Sequence, residues 1–426
     1  MSKNNALFAV ALITSLFFIW GFALNLNPIL IPHLKKACQL NDLQSSLIDS
    51  ASYIAYFILP IPAAQFMKKY GYKGGIILGL ILFSTGAFLF FPAAAVRNYA
   101  FFLAALFIVF SGAAFLETAA NPYITVLGDP AGAERRINFS QSFNGLAATL
   151  APLIGGKYIL SGKVLTDAES SKMSPEQLNE YLNHEASSVQ LPFLVIGVAV
   201  LVVAFLIYRT HFPPIVEETS EDAINDNRPL GTRIAELLRI KSLRAGIFAE
   251  FLYVGAQAGV SSFFIRFSEK VAGFAEKPAS YYLTIASAGF MAGRFIGTLL
   301  MRYFSPVKLL ITYAIINIFL IAMAVTLHGA FAVYALMCVW FFMSIMFPTI
   351  FSLSIRGLGA KTKLGSSLVI MGIVGGAIFP VIMGRVSDAT HSIQWAYVVP
   401  GICFFGILIF AINNHKVKKL VMAGSH

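Results

Sequence analysis

The sequence has little charge for its length. Asp, Glu, Lys and Arg make up only 12% of its 426 residues, whereas a typical soluble domain has about 25%. Its three cysteines are widely spaced and match no metal or redox pattern. Its seven histidines do not pair at the spacing of metal ligands, and the sequence has no phosphate-binding loop and no nucleophile–base motif. These absences argue against a disulfide framework, an enzyme and a bound cofactor.

Apolar residues are abundant instead. They occupy 58% of positions and come in blocks of roughly 20 residues, which is the length needed to cross a hydrocarbon core of ~30 Å. A membrane β-barrel would show alternating segments of about 10 residues, and the sequence has none. The net charge of +11 is therefore interpreted as a signal of membrane topology and not as affinity for nucleic acid. The sequence predicts an all-α integral membrane protein.

Twelve apolar runs can be placed along the chain. The first, 7–31, is longer than the core of a signal peptide and lacks a small-residue cleavage site, so we expect it to be retained. A polar stretch at 209–242 predicts a cytoplasmic linker with an amphipathic helix near 231–240. The predicted domains are therefore a six-helix bundle at 1–208, this linker, and a second six-helix bundle at 243–426. The predicted spans are 7–31, 45–67, 74–95, 99–124, 138–160, 190–208, 243–268, 279–303, 307–327, 330–355, 364–385 and 394–413.

Basic residues are distributed unevenly between the two sides of these spans. The side that holds both termini carries 20 Lys and Arg residues in its termini and loops, and the other side carries 7. Because basic residues collect in cytoplasmic loops, both termini are predicted to be cytoplasmic. The polar stretch at 161–189 would then lie outside, with a short helix after Ser174, which is a suitable N-cap residue.

Ionisable and amide side chains inside the spans are the candidates for function, because an ionisable group there costs at least ~2.5–3.5 kcal/mol to insert. Glu117 lies deepest within its apolar run, and Asn121 lies four residues later on the same helix face. Gln141 and Asn144 share a face of the next span.

The "NLNP" stretch at 25–28 adds further polar groups to the first span. It begins with Asn25 and ends with Pro28, and the proline frees a backbone carbonyl that could coordinate a cation or a hydroxyl.

Two further acids have polar and aromatic neighbours at helical spacing. Asp49 is followed by tyrosines at i+4 and i+7, and Glu250 is followed by Tyr253 and Gln257 at i+3 and i+7. Carboxylates and amides hydrogen-bond sugar hydroxyls, while aromatic rings stack on sugar C–H faces. The pattern is therefore typical of a sugar site. The plainer alternative is that the amides only hold helices together.

The chain resembles the fucose–proton symporter family of bacterial sugar transporters, within the major facilitator superfamily, over nearly its whole length. The motifs that carry the resemblance include "FLETAANPYITVLG" at 115–128, "FSQSFN" at 139–144, "KMSPEQL" at 172–178 and "YVGAQ" at 253–257. The resemblance implies the fold of the major facilitator superfamily, with two six-helix halves, and sugar transport across a bacterial inner membrane. It also implies that Glu117 lines a central cavity and takes part in proton-coupled sugar recognition, and that Gln141 and Asn144 face this cavity.

One departure from the family concerns the coupling acid. The family carries an aspartate where this chain has Pro28, whereas Asp49 and Glu250 stand where the family has glutamine. The resemblance therefore leaves Glu117, Asp49 and Glu250 as the candidate cation-coupling residues. Asp49 would be a metal ligand only if the coupling ion is Na⁺.

The sequence as a whole predicts a secondary active importer that symports a hexose or related monosaccharide with H⁺ or Na⁺ by alternating access. Its expected partners are a sugar of the fucose, glucose, galactose, mannose or N-acetylglucosamine class, the cation and the lipid bilayer, and we expect a monomer. Two alternatives stay open, an exporter of amphiphilic small molecules and a sensor with a transporter fold. The predicted substrate-binding residues are Asn25, Asn121, Gln141, Asn144, Tyr253 and Gln257.

Overall fold

A computed structural model of the chain describes residues 3–126, 133–162, 172–210, 229–301, 303–356, 358 and 361–423. Within those ranges the chain forms helices joined by short connections, and it contains no β-strand. The chain divides into two compact units. Unit 1 consists of Met1–Val216 and Phe274–Thr284, and unit 2 consists of Glu217–Gly273 and Ile285–His426.

The helices of the amino-terminal part of the chain belong to unit 1. Helix α1 packs along α5, α2 packs on α4, and α3 packs on α4 and α7. These contacts bring the polar residues of the first, second, fourth and fifth helices into one bundle. The helices are α1 (Lys3–Ala37), α2 (Asp42–Ile58), α3 (Pro60–Ala95), α4 (Tyr99–Val126), α5 (Ala133–Tyr158), α6 (Pro175–Ser187) and α7 (Gln190–Arg209).

The remaining helices form unit 2, except for the first turns of α10, which belong to unit 1. Helix α9 lies at the centre of this unit and packs on α12, α13, α15 and a 3₁₀ turn at Met371–Val374. The helices are α8 (Leu230–Leu238), α9 (Lys241–Ala272), α10 (Glu276–Leu300), α11 (Pro306–Thr326), α12 (Ala330–Met343), α13 (Met346–Ser354), α14 (Thr362–Ile370), α15 (Gly375–Thr390), α16 (Ile393–Ala396) and α17 (Val398–Ala423).

Ten helical stretches of the described chain are long and apolar enough to cross a membrane. The two remaining predicted spans, near 45–67 and 138–160, are also helical, but α2 has only 17 residues and α5 is rich in polar residues. With these two, the helices match the twelve spans that the sequence predicts.

The break between the second and third spans falls in the predicted interval, at Gly71, and the second span also has a break that was not predicted. The sequence predicts one span at 45–67 and the next at 74–95, but α2 ends at Ile58 and α3 begins at Pro60. Proline is well tolerated in the first turn of a helix, where its missing N–H has no partner to lose. Helix α3 then continues to Ala95 through one non-helical residue, Gly71, at φ 73°. Glycine adopts this positive φ without a Cβ clash, so a single residue makes the break between the spans.

Two short helices outside the spans confirm their predictions. Helix α6 follows Ser174, whose hydroxyl accepts from the N–H of Gln177 at 3.3 Å, while the Gln177 side chain accepts from the N–H of Ser174 at 3.0 Å. This reciprocal capping box satisfies two backbone donors at the helix start. Helix α8 occupies the position of the predicted amphipathic helix, and its Leu237 packs in a buried cluster with Leu243 and Leu358.

Candidate functional site

Two amide side chains of unit 1 contact the same residue of α1, Gly21, where α1 and α5 approach each other. A Cβ added to Gly21 would lie 2.9 Å from both Cγ and Nδ2 of Asn144, so the amide of Asn144 rests directly on the backbone of α1. One turn later, Asn25 donates from Nδ2 to the carbonyl oxygen of Gly21 at 2.7 Å. Both amides are half-buried. The structure therefore brings together two of the predicted substrate-binding residues.

The other two predicted amides of unit 1 lie on neighbouring turns. Gln141 is half-buried and lies one turn before Asn144 on α5. Asn121 lies in α4, but its side chain is outside the residues that the structure describes. The α1–α5 contact also includes a hydrogen bond of 2.8 Å between the hydroxyls of Thr14 and Ser140.

The deep acid of the fourth span lies beside a tyrosine. Glu117 is half-buried, and its carboxyl group is adjacent to the hydroxyl of Tyr56 on α2. The Tyr56 hydroxyl is buried and no described atom meets hydrogen-bonding geometry with it. The two groups are therefore close neighbours that stop short of a well-formed hydrogen bond.

Asp49 lies in a second polar cluster, formed by α1 and α2. The amide of Asn27 donates to Asp49 Oδ1 at 3.3 Å and to Ser52 Oγ at 2.9 Å. Asp49 also interacts electrostatically with Tyr53.

Tyr53 and Tyr56 lie one turn apart on α2, the helix that also carries Asp49, and Tyr56 is the neighbour of Glu117.

Asn27 and Ser52 are functional candidates that do not appear among the predicted site residues, although Asn27 belongs to the "NLNP" stretch. Ser52 lies three residues after Asp49, on the same helix face, and that spacing was available as a signal. Asn27 directly precedes Pro28. Helical periodicity puts Asn25 and Asn27 on nearly opposite faces of α1. It does not tell which of the two faces meets α2.

The predicted residues of unit 2 lie along α9. Glu250 is 0% exposed, and neither of its carboxyl oxygens has a hydrogen-bond partner among the described residues. The hydroxyl of Tyr253 is buried and donates to the carbonyl oxygen of Met343 at 3.1 Å. Gln257, one turn later, is half-buried. The hydroxyl of Tyr253 is therefore engaged in a hydrogen bond within unit 2.

The fold and these clusters together define a class of protein. Helices that span a membrane many times and place acids, amides and tyrosines in their interior are typical of a transporter, because ionisable groups at that depth mark ion and substrate pathways. No group of three or more His, Cys, Asp or Glu in the described part of the chain could hold a metal ion.

Comparison with known proteins agrees with this class. A model of the Major Facilitator Superfamily matches residues 11–372. The L-fucose-proton symporter of Escherichia coli is 45% identical over 94% of this chain and 92% of its own. A glucose/galactose transporter of Brucella abortus is 41% identical over 97% of this chain and 96% of its own. The crystal structure of a Major Facilitator Superfamily transporter, FucP, in the outward conformation matches with 43% identity and a TM-score of 0.70, over 96% of this chain and 99% of that one.

The chain belongs to the fucose–proton symporter family of the major facilitator superfamily. The all-α fold of this superfamily is therefore confirmed. The prediction of a transporter and not an enzyme is confirmed as well, since the matched relatives are transporters. A bacterial homologue of the lysosomal transporter Spinster has a TM-score of 0.77 at 14% identity, which shows the shared fold alone.

Proposed function

We propose that the chain imports a monosaccharide by symport with a cation, through alternating access. The observation that carries this proposal is the half-buried Glu117 beside Tyr56, in the same bundle as the amides of Asn25 and Asn144, which both contact Gly21. The names of the relatives support it, because one is an L-fucose-proton symporter and another is a glucose/galactose transporter.

The proposed substrate is a hexose or related sugar of the fucose, glucose, galactose, mannose or N-acetylglucosamine class. In unit 1 its hydroxyls would bind the amides of Asn25, Gln141 and Asn144, because each amide offers both a donor and an acceptor. Asn121 stays a predicted member of this group. In unit 2, Tyr253 and Gln257 stay predicted substrate-binding residues.

The proposed coupling residues are Glu117, Asp49 and Glu250. A carboxylate in a dry, low-dielectric environment is costly unless a positive ion neutralises it. Binding of H⁺ or Na⁺ at Glu117 or Asp49 would therefore favour a closed, sugar-loaded state from which water is excluded. Loading of the ion and of the sugar would then depend on each other, and this dependence is the physical basis of coupling.

The proposal includes the placement of the protein in the cell. Both termini would lie in the cytoplasm of a bacterial inner membrane, as the distribution of Lys and Arg favours. The segment 209–242 would separate two six-helix bundles, and the boundary between the two compact units at Val216 and Glu217 supports this division. The working unit would be a monomer.

Uptake of a panel of labelled hexoses into proteoliposomes tests the function. We expect at least one hexose to accumulate when an inward pH or Na⁺ gradient is imposed, and to equilibrate without accumulation when no gradient is present. Asn144→Ala should weaken uptake, because it removes an amide from the sugar cluster.

Thr149→Val is the matched control for this variant. It changes a half-buried polar residue of the same helix, whose hydroxyl donates to the carbonyl oxygen of Gly145 at 3.3 Å, and it should retain uptake. Absence of hexose uptake under every gradient, together with extrusion of an amphiphilic dye, would instead favour the exporter alternative.

A further inference from the structure

The cluster around Asp49 consists of buried oxygen-bearing side chains between α1 and α2. Asn27 is 3% exposed, Asp49 1% and Ser52 0%. Three polar groups rarely share so dry a position inside an apolar bundle, because burying each one costs free energy unless it has a partner. The packing of α1 and α2 alone does not require them.

The amide nitrogen of Asn27 forms hydrogen bonds, whereas its amide oxygen has no partner among the described residues. Its Nδ2 donates to both Asp49 Oδ1 and Ser52 Oγ, whereas its Oδ1 is buried and has no hydrogen-bond partner among the described residues. A buried acceptor that lacks a donor costs about 1–3 kcal/mol. Rotation of the amide by half a turn would exchange the two atoms and point Oδ1 at Asp49 and Ser52.

After that rotation, three oxygen atoms would converge. The amide oxygen would take over the position of Nδ2, which lies 3.3 Å from Asp49 Oδ1 and 2.9 Å from Ser52 Oγ. Ser52 donates its own hydroxyl proton to the carbonyl oxygen of Ile48 at 2.9 Å. The lone pairs of its oxygen are therefore available to a cation. Oxygen atoms that share one cation at about 2.3–2.6 Å lie roughly 3–3.5 Å apart. The two distances from the amide position, 3.3 and 2.9 Å, are close to this spacing.

The charge of the cluster matches a monovalent ion. Asp49 supplies one negative charge, and the amide and the hydroxyl are neutral donors. In a low-dielectric interior, one charge is best balanced by one opposite charge, which favours Na⁺ over a divalent ion.

Two prolines of α1 leave backbone carbonyl oxygens without their usual helical donors. Pro28 and Pro32 have no N–H, so the carbonyls of Leu24 and Pro28, four residues before them, have no helical donor. Such freed carbonyls coordinate Na⁺ in transporters that have broken helices.

We propose that Asn27, Asp49 and Ser52 form a sodium-ion site, with the amide of Asn27 turning its oxygen inward when the ion binds. That this ion is the one coupled to sugar uptake rests on the proposed function. Binding of the ion does not, and it can be measured without sugar.

Sodium binding to the purified full-length protein tests the site directly. Na⁺ is titrated at constant pH and ionic strength, with choline as the replacement ion, and binding is followed by calorimetry or with radioactive sodium. We expect saturable binding to the wild type. Asp49→Asn should abolish it, and Ser52→Ala should weaken it about 10–100-fold, as is typical when a group that supports a metal site is lost.

Ser46→Ala is the matched control. Ser46 is also buried on α2, and its hydroxyl donates to the carbonyl oxygen of Leu43 at 2.7 Å. Because α2 keeps its fold without a single side-chain bond of this kind, Ser46→Ala should change the sodium affinity by no more than about twofold. Absence of saturable sodium binding to the wild type would overturn the site, as would equal weakening by Ser46→Ala and Ser52→Ala.

Uptake measurements separate failure of the site from failure of the proposed function. If the wild type accumulates hexose with a pH gradient alone and binds no sodium, the site is wrong and the importer function stands. If it binds sodium but accumulates no hexose under any gradient, the site stands and the function is wrong. If an inward Na⁺ gradient drives accumulation that Asp49→Asn abolishes, both are supported.

Discussion

A buried ion cluster in unit 1 allows one effect on stability to be worked out in detail. Lys36 Nζ lies 2.6 Å from Glu185 Oε1 and 3.0 Å from Glu276 Oε2. His33 Nδ1 lies 3.5 Å from the same oxygen of Glu185. The lysine therefore holds α1, α6 and the first turn of α10 together. We predict that Lys36→Met strongly destabilises the protein.

The magnitude follows from burial. The side chain of Lys36 is 12% exposed, and those of Glu185 and Glu276 are 1% and 3% exposed. Removing one partner from a buried ion pair costs about 3–5 kcal/mol, because the charge that remains has no counterion. For a unit of about 200 residues, each kcal/mol lowers the Tm by roughly 2–4 °C, so we expect a fall of about 6–20 °C.

Thermal unfolding in detergent, followed by intrinsic fluorescence, measures this effect. Adding Glu276→Gln to Lys36→Met should recover about 0.5–3 kcal/mol of stability, because it removes one of the two uncompensated carboxylates. Lys361→Met is the control, since Lys361 pairs with Glu236 at 3.5 Å while 53% exposed, and surface pairs contribute about 0–1 kcal/mol. A Tm for Lys36→Met no lower than that of Lys361→Met would refute the reasoning.

Two further predictions concern the helix contacts and the acid of unit 2. Gly21→Ala should raise the KM for sugar by about tenfold, because its Cβ would lie 2.9 Å from the amide of Asn144 and overpacking costs about 1–3 kcal/mol. Gly289→Ala, where a Cβ would meet nothing within 4 Å, should leave the KM unchanged, and equal KM values for the two variants would contradict the prediction. Glu250→Gln should lower gradient-driven uptake while keeping the Tm near that of the wild type, because glutamine has the same shape but carries no negative charge for a cation to neutralise. Full gradient-driven uptake by this variant would exclude Glu250 from coupling.

Local sequence features were sufficient to predict most of the fold. Long apolar runs indicate spans because every buried backbone group must be satisfied within its own helix. The capping box of Ser174 and Gln177 indicates the start of α6. It can be predicted because its two hydrogen bonds join residues only three positions apart in the sequence. The break at Ile58 was missed because hydropathy stays high across Pro60 up to the turn at Gly71.

The candidate site was predictable only in part, because its contacts join different helices. The depth of Glu117 and the spacing of Asp49 from its tyrosines are properties of single helices and can be read from the sequence. The bond from Tyr253 to the carbonyl oxygen of Met343 and the bond from Asn27 to Asp49 depend on packing. Helical periodicity contains no information about which neighbouring helix a face meets.

Comparing Glu117→Gln with the wild type in proteoliposomes tests directly whether this carboxyl group couples the ion to the sugar. Inward pH and Na⁺ gradients are imposed together, and accumulation of a transported hexose is measured alongside exchange of labelled for unlabelled sugar at equilibrium. We predict that exchange persists in Glu117→Gln, because glutamine can still hydrogen-bond the sugar, and that concentrative uptake is lost, because glutamine cannot be neutralised by an ion. Accumulation by Glu117→Gln to the wild-type level would contradict the proposal that this carboxyl group couples the ion to the sugar.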